Sequence, residues 1–187
     1  MPSDTLLHKA AGKGNLEECK HYLESYVNEE DPDEKFTVND SGAAERTPLH
    51  RSAVGGFLEI CVYFVDVGAE IDIGDKSKRT PLHCASIAGH TDCVKYLLSK
   101  GANILAETQS LTNPLHCSVE ANKIEVTKIL LEQVKEDQEK KLLLLAHKNS
   151  EGKTPWEIAY QNKNREICQV LKDNGDPNAA SASCCIS

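Results

Sequence analysis

The sequence predicts an all-α solenoid built from short pairs of helices. The motif Thr-Pro-Leu-His begins at Thr47 and again at Thr80 (80 − 47 = 33), and Asn-Pro-Leu-His begins at Asn113 (113 − 80 = 33). Each copy opens a helix, because Thr or Asn can accept from free backbone N–H groups and Pro fits the first helical turn. A pair of such short helices cannot bury its apolar faces alone, so it needs copies on either side.

The best-formed copy runs from Arg79 to Ile104. Its first helix is predicted to end at Gly89, which can adopt the left-handed conformation of a helix stop. A second helix follows, with an apolar stripe of Val94, Leu97 and Leu98, and ends at Gly101.

Two weaker copies begin at Thr5 and Thr154, with offsets of 42 (47 − 5) and 41 (154 − 113) residues. The longer offsets predict extra chain in two places. Residues 28–35 form an acidic stretch around a Pro, which is either an exposed insertion or an acidic docking site. Residues 133–146 predict a longer second helix, a break and a short apolar segment folding back on the stack; a partner-specific protrusion is the alternative.

A 33-residue period headed by Thr-Pro-Leu-His resembles the ankyrin repeat. The resemblance covers about residues 4–178. It implies an ankyrin-repeat solenoid of five repeats with short β-hairpin or turn "fingers" between them. We expect a repeat domain at about 1–178 and a flexible tail at 179–187. Within the domain, the five repeats are expected at about 4–39, 40–75, 76–108, 109–148 and 149–178.

Composition narrows the function classes. The 187 residues carry a net charge of −8, which argues against nucleic acid as a general partner because phosphate binding needs a basic face. No apolar run approaches the ~20 residues of a membrane-spanning helix. Without a secretory signal we expect a cytoplasmic protein with free thiols. The cysteines expected to face neighbouring helices are Cys19, Cys61, Cys84, Cys93, Cys117 and Cys168.

The sequence contains no recognisable catalytic set. His8, His50, His83 and His116 recur at the heads of repeats, but zinc sites usually draw paired ligands from short loops, and no C-x₂-C occurs. The resemblance instead implies that each histidine hydrogen-bonds backbone groups between repeats. No phosphate loop or nucleophile motif is present. We therefore expect no enzyme activity, no cofactor, no metal and no small-molecule substrate.

The resemblance implies that fingers and first helices line a concave face that binds another protein. The residues assigned to that face by register are Ala43, Ala44, Arg46, Lys76, Ser77, Arg79, Gln109, Ser110, Thr112, Val54, Ile87 and Glu120. Five basic residues belong to this set or lie near it in the sequence. They are predicted to form a basic spot that docks an acidic peptide or domain; a solvated loop is the alternative. The spot comprises Arg46, Arg51, Lys76, Lys78 and Arg79.

The sequence ends in Cys-Cys-Ile-Ser, which resembles a C-a-a-X prenylation box. Cys184 would be the acceptor, and the terminal Ser favours farnesyl. Cys185 in the first aliphatic position is a departure, and an unmodified end is the alternative. One lipid chain gives only marginal, reversible membrane binding. The predicted function is therefore a scaffold or adaptor, reversibly associated with a membrane. The alternative is a soluble inhibitor that masks an enzyme or a transcription factor.

Overall fold

The computed structural model describes residues 3–24 and 37–179. Within them the chain forms eleven α-helices, a short 3₁₀ turn at Ala43–Glu45 and no β-strand. The predicted acidic insertion at 28–35 lies outside the described residues. The helices are α1 (Leu6–Lys13), α2 (Leu16–Glu24), α3 (Pro48–Gly55), α4 (Leu58–Asp66), α5 (Pro81–Ala88), α6 (Thr91–Ser99), α7 (Pro114–Glu120), α8 (Ile124–Gln133), α9 (Gln138–Ala146), α10 (Pro155–Gln161) and α11 (Arg165–Asp173).

Ten of the helices form two layers, and each of these packs against its hairpin partner and the equivalent helices of adjacent repeats. The remaining helix, α9, contacts α10. The inner layer is α1, α3, α5, α7 and α10 in chain order, and the outer layer is α2, α4, α6, α8 and α11. This arrangement confirms the predicted all-α solenoid. No central element organises the fold, because each repeat buries its apolar faces against its neighbours.

Thr-Pro-Leu-His begins α3 and α5, and variants of the motif begin the other inner helices, as the sequence predicts. Pro48, Pro81, Pro114 and Pro155 each occupy the first helical position. The following residue enters the core: Leu49, Leu82 and Leu115 have no exposed surface, and Trp156 is 5% exposed. The expectation that Trp156 is a packing residue at the last interface is therefore confirmed.

The repeated histidines join one repeat to the next, as the resemblance implied. His50 Nε2–H donates to the carbonyl oxygen of Arg79 at 2.8 Å, and its Nδ1 accepts from Thr47 N–H at 3.1 Å. His83 repeats this geometry with Thr112 at 3.2 Å and Thr80 at 3.1 Å. All four rings are fully buried. Each adds a second hydrogen bond to a carbonyl oxygen that also accepts from a backbone N–H of its own turn.

The segment between the fourth and fifth repeats differs from the prediction. The second helix of repeat four ends at Gln133 instead of continuing through the charged stretch to Lys141. The break lies at residues 134–137, where the Asp137 side chain accepts from Lys140 N–H at 2.9 Å and so begins α9. The polar residues 138–141 and the apolar residues 142–146 therefore share one helix. Its Leu144 and Leu145 are buried, so the predicted return of the apolar segment onto the stack is confirmed.

The last described residues still belong to the packed part of the chain. Asp176 and Ala179 are 3% and 5% exposed, so Ala179, which the sequence assigns to the tail, packs on the last repeat. Residues 180–187 lie outside the described residues.

Candidate protein-binding groove

Before each of four inner helices the chain makes a tight turn, called here a finger and numbered by the repeat that follows. Fingers 2, 3, 4 and 5 are residues 42–46, 75–79, 108–112 and 149–153. In each finger the first N–H donates to the carbonyl of the fifth residue, at 2.8–3.0 Å. Each finger is one turn long, which is why no strand forms.

A side chain at the start of each finger holds the turn. Asp75 Oδ1 accepts from the N–H groups of Ser77 and Arg79 at 2.8 and 3.0 Å. Thr108 Oγ1 and Asn149 Oδ1 accept from the corresponding N–H groups two and four residues on, at 3.0–3.2 Å. Side chains of this kind bond their own backbone readily, which favours turns over helix. Finger 2 begins with Gly42, and there Asp4 of the first repeat supplies the carboxylate, accepting from Ala43 N–H at 2.9 Å.

The fingers are also linked to one another. Lys76 N–H donates to the carbonyl of Ala44, Gln109 N–H to that of Ser77, and Ser150 N–H to that of Ser110. All three distances are 2.9 Å. One backbone hydrogen bond per step therefore fixes the spacing of fingers 2 to 5. Such a surface loses little conformational entropy when a partner binds.

Fingers 3, 4 and 5 form one wall of a groove whose other side is the inner helices α5 and α7. Its volume is about 350 Å³. Helices contribute Ile87, Cys117 and Glu120, and Ile87 is 37% exposed. The finger residues that line it are Ser77, Arg79, Thr108, Gln109, Ser110, Thr112, Asn149, Ser150 and Glu151.

The groove is suited to recognition by hydrogen bonds. Hydroxyl and amide groups predominate, with an arginine and two carboxylates among them. The one thiol in its lining is a poor nucleophile, because burial raises the pKa of Cys117 to about 11. Its chemistry therefore favours binding a polar surface over reacting with it.

The structure brings part of the predicted binding set into this groove. Arg79, Ser110 and Thr112 line it, as do Ser77, Gln109, Ile87 and Glu120. Ala44 and Val54 are exposed but lie outside the groove lining, and Ala43 is half-buried.

The predicted basic spot carries less free charge than the sequence suggests. Arg46 Nε and Arg79 Nη2 lie 3.3 and 2.9 Å from Asp75 Oδ2, and Arg51 Nη2 lies 2.7 Å from Asp4 Oδ1. Burial alone would raise the pKa of Asp75, but hydrogen bonds from Arg79 and Ser77 outweigh it and hold that pKa below its ordinary value. Asp75 is thus negatively charged and forms ion pairs with two of the five basic residues of the spot, Arg46 and Arg79.

The two lysines of the spot are in a different position. Lys76 and Lys78 are exposed. Among the described residues neither has a carboxylate oxygen within 4.0 Å. The attraction of this surface for an acidic partner therefore depends on Lys76 and Lys78 more than on the arginines.

Sequence reasoning missed Thr108, Asn149, Ser150 and Glu151 as groove residues. The signal was available in the register: Asp75, Thr108 and Asn149 lie at the same finger position, at offsets of 33 and 41 residues. The sequence could not indicate that Asp75 would bind Arg46, because that contact spans 29 residues and depends on how repeats stack.

The buried cysteines confirm their expected place between helices. Cys19, Cys61 and Cys93 have no exposed surface, and Cys84, Cys117 and Cys168 are at most 5% exposed. In the described parts of the chain no group of three or more His, Cys, Asp or Glu side chains is placed to hold a metal ion.

Cys184 and the rest of the predicted prenylation motif lie outside the described residues, so lipidation stays a prediction. Over residues 3–24 and 37–179 no helix combines the length and apolar character needed to cross a bilayer.

Paired helices in two layers and a groove beneath a row of fingers define a helical-repeat protein with a recognition surface. A family model described as ankyrin repeats (three copies) matches residues 7–108 and 106–181. The chain belongs to the ankyrin repeat family, which is a general protein–protein interaction module. A search of curated proteins returned no match to the chain.

Proposed function

We propose that the protein is a non-enzymatic adaptor that holds a segment of another protein in the groove beneath fingers 3 to 5. The observation that carries this is the ladder of backbone hydrogen bonds between fingers, at 2.9 Å per step. It presents the polar lining in a fixed arrangement before any partner arrives. Preorganisation of this kind lowers the entropy cost of binding.

The experiment compares a groove variant with a matched outer-face variant. Ser110→Arg places a large charged side chain in the groove, and Gln133→Arg places the same side chain on the exposed surface of α8. Proteins captured from cells by the wild type and by Gln133→Arg should be lost with Ser110→Arg. Capture of the same proteins by all three would contradict the proposal.

The adaptor is further proposed to reside in the cytoplasm and to associate reversibly with a membrane. The support is the sequence Cys184–Ser187, which resembles the C-a-a-X motif of farnesylated proteins apart from Cys185 in the first aliphatic position. A single lipid chain gives exchangeable binding, with K of about 10⁴ M⁻¹. The sequence before it, residues 173–183, contains no Lys or Arg to add a second membrane signal.

Lipidation is tested by expressing the wild type and Cys184→Ser in a prenylating cell. Mass spectrometry should find farnesyl with loss of the last three residues in the wild type alone, and the variant should leave the membrane fraction. An intact, unmodified end would reject lipidation. It would favour the alternative, a soluble regulator that masks its target through the same groove.

A further inference from the structure

One position has a left-handed backbone in all four fingers, and finger 2 has a second left-handed residue, Ala44, with a φ of 60°. The shared position is Glu45, Lys78, Leu111 and Gly152 in fingers 2 to 5, at offsets of 33, 33 and 41 residues. The φ angles are 58°, 59°, 54° and 75°. A three-residue turn of this kind requires a left-handed third residue, for which glycine is the low-energy choice. Finger 5 has the glycine, and the other three fingers do not.

The side chains at the three strained positions receive little compensation from their own fold. Glu45 and Lys78 are exposed, and Leu111 is a large apolar side chain that is 43% exposed. A left-handed backbone disfavours each of these residues, and exposure of Leu111 adds a hydrophobic cost. Strain of this kind persists only where the surrounding structure imposes it, and strained positions cluster at binding and active sites.

Lys78 and Leu111 lie beside the groove, whereas finger 2 with Glu45 contributes no lining residue. Ser77 and Arg79, on either side of Lys78, both line it. Ser110 and Thr112, on either side of Leu111, line it as well. A chain segment lying in the groove would therefore pass Lys78 and Leu111 in sequence.

We propose that Lys78 and Leu111 form a recognition ridge, kept at a cost in stability, that selects an extended segment of the partner protein. Charge complementarity requires a carboxylate opposite Lys78, and Leu111 requires an apolar side chain. Packed helices lie about 8–10 Å apart and an extended chain advances about 3.3 Å per residue. The two contacts are therefore about three residues apart, giving the pattern acidic-x-x-apolar in either direction.

The stability half of the proposal is tested without a partner. Lys78→Gly and Leu111→Gly should each raise the Tm by about 2–4 °C, because glycine relieves the strain. Gly152→Ala is the matched control and should lower the Tm similarly, since its new Cβ meets no atom within 4 Å and adds backbone strain alone. Thermal unfolding followed by circular dichroism measures all three. Unchanged or lower Tm in both glycine variants would overturn the proposal.

The recognition half uses a displayed library of random 12-residue peptides selected on the full chain. Enriched peptides should carry a carboxylate and an apolar residue about three positions apart. Fluorescence anisotropy should show at least tenfold weaker binding to Lys78→Gly and Leu111→Gly. Binding should be unchanged for Gly101→Ala, since Gly101 also has a left-handed backbone with no atom within 4 Å of the new Cβ but does not line the groove. Lys78→Glu should shift selection to peptides with a basic residue at that position.

The ridge proposal rests on the proposed function of the groove, and the two can fail separately. Peptides that lose affinity with Ser110→Arg but bind both glycine variants like the wild type would overturn the ridge and leave the groove intact. Peptides that bind all these variants equally would overturn both, as would a selection that enriches no peptide.

Discussion

Each of the first four inner helices carries a histidine whose ring joins adjacent repeats. Burial lowers the pKa of His50 and His83 to about 4. Their Nδ1 atoms accept from backbone N–H groups, and an imidazolium would lose that bond. The folded chain therefore requires both rings to be neutral.

Stability should consequently fall as the pH falls from about 6.5 to about 4. The unfolded chain binds a proton at each histidine near pH 6.5, whereas folded His50 and His83 resist protonation until about pH 4. Each site should then cost about 3 kcal/mol at pH 4 relative to pH 7. Urea unfolding at several pH values measures this. His50→Gln should be less stable at pH 7 but show a shallower pH profile; an equally steep profile would contradict the assignment.

Asp176 is a second buried ionisable residue, at the end of the last repeat. It stands where Ala69 and Ala102 stand in earlier repeats, since its N–H donates to the carbonyl five residues back as theirs do. Burial raises the pKa of its carboxyl, and Oδ2 has no hydrogen-bond partner among the described residues. The charged form is thus disfavoured by folding.

Asp176→Asn should stabilise the protein at pH 7 by about 1 kcal/mol, because a buried charge without a full set of partners is removed. Because folding raises the pKa of Asp176, the wild type becomes less stable as the pH rises above 3.8. The stabilisation produced by Asp176→Asn should therefore be smaller at low pH. Urea unfolding at pH 7 and pH 4 checks both points. The control, Glu136→Gln on an exposed residue, should change little; an equal gain there would refute the burial argument.

Among the elements, finger 3 depends on a single carboxylate. Asp75 has a fully buried side chain and binds Arg46, Arg79 and two finger N–H groups. Asp75→Ala should cost about 3 kcal/mol, because it leaves the arginines and the turn without their acceptor. Asp66→Ala, at an exposed pair with Lys100 of 3.9 Å, should cost under about 1 kcal/mol. Equal losses in denaturant unfolding would show that Asp75 does not hold the finger.

The orientation of α9 gives another comparison at this scale. Leu144 is fully buried and Leu142 is 55% exposed. Leu144→Ala should therefore cost about 2–5 kcal/mol, whereas Leu142→Ala should stay within about 0.5 kcal/mol. If thermal or urea unfolding finds the costs equal or reversed, α9 packs through another face.

At the scale of the whole molecule, the 33-residue period was sufficient to predict the stack. Thr-Pro-Leu-His and its variants set where the inner helices begin, and the spacing of apolar residues sets which helix face is buried. The helix starts and the buried faces therefore depend on local sequence. The start of α9 was missed because Asp137 interrupts a stretch that otherwise favours helix. The pairing of Arg51 with Asp4 was also missed, since it spans 47 residues and exists only once repeats are stacked. The left-handed residues were not predicted because Lys78 and Leu111 lack the glycine that marks such turns.

In the proposed adaptor, the stacked repeats bind their partner through one surface, the groove with its fingers. Hydrogen exchange of the full chain, with and without a selected peptide, tests it most directly. Binding should slow exchange in fingers 3 and 4 and at the adjoining residues of α5 and α7, and leave the outer helices α4, α6 and α8 unchanged. Slower exchange confined to those outer helices would contradict the account.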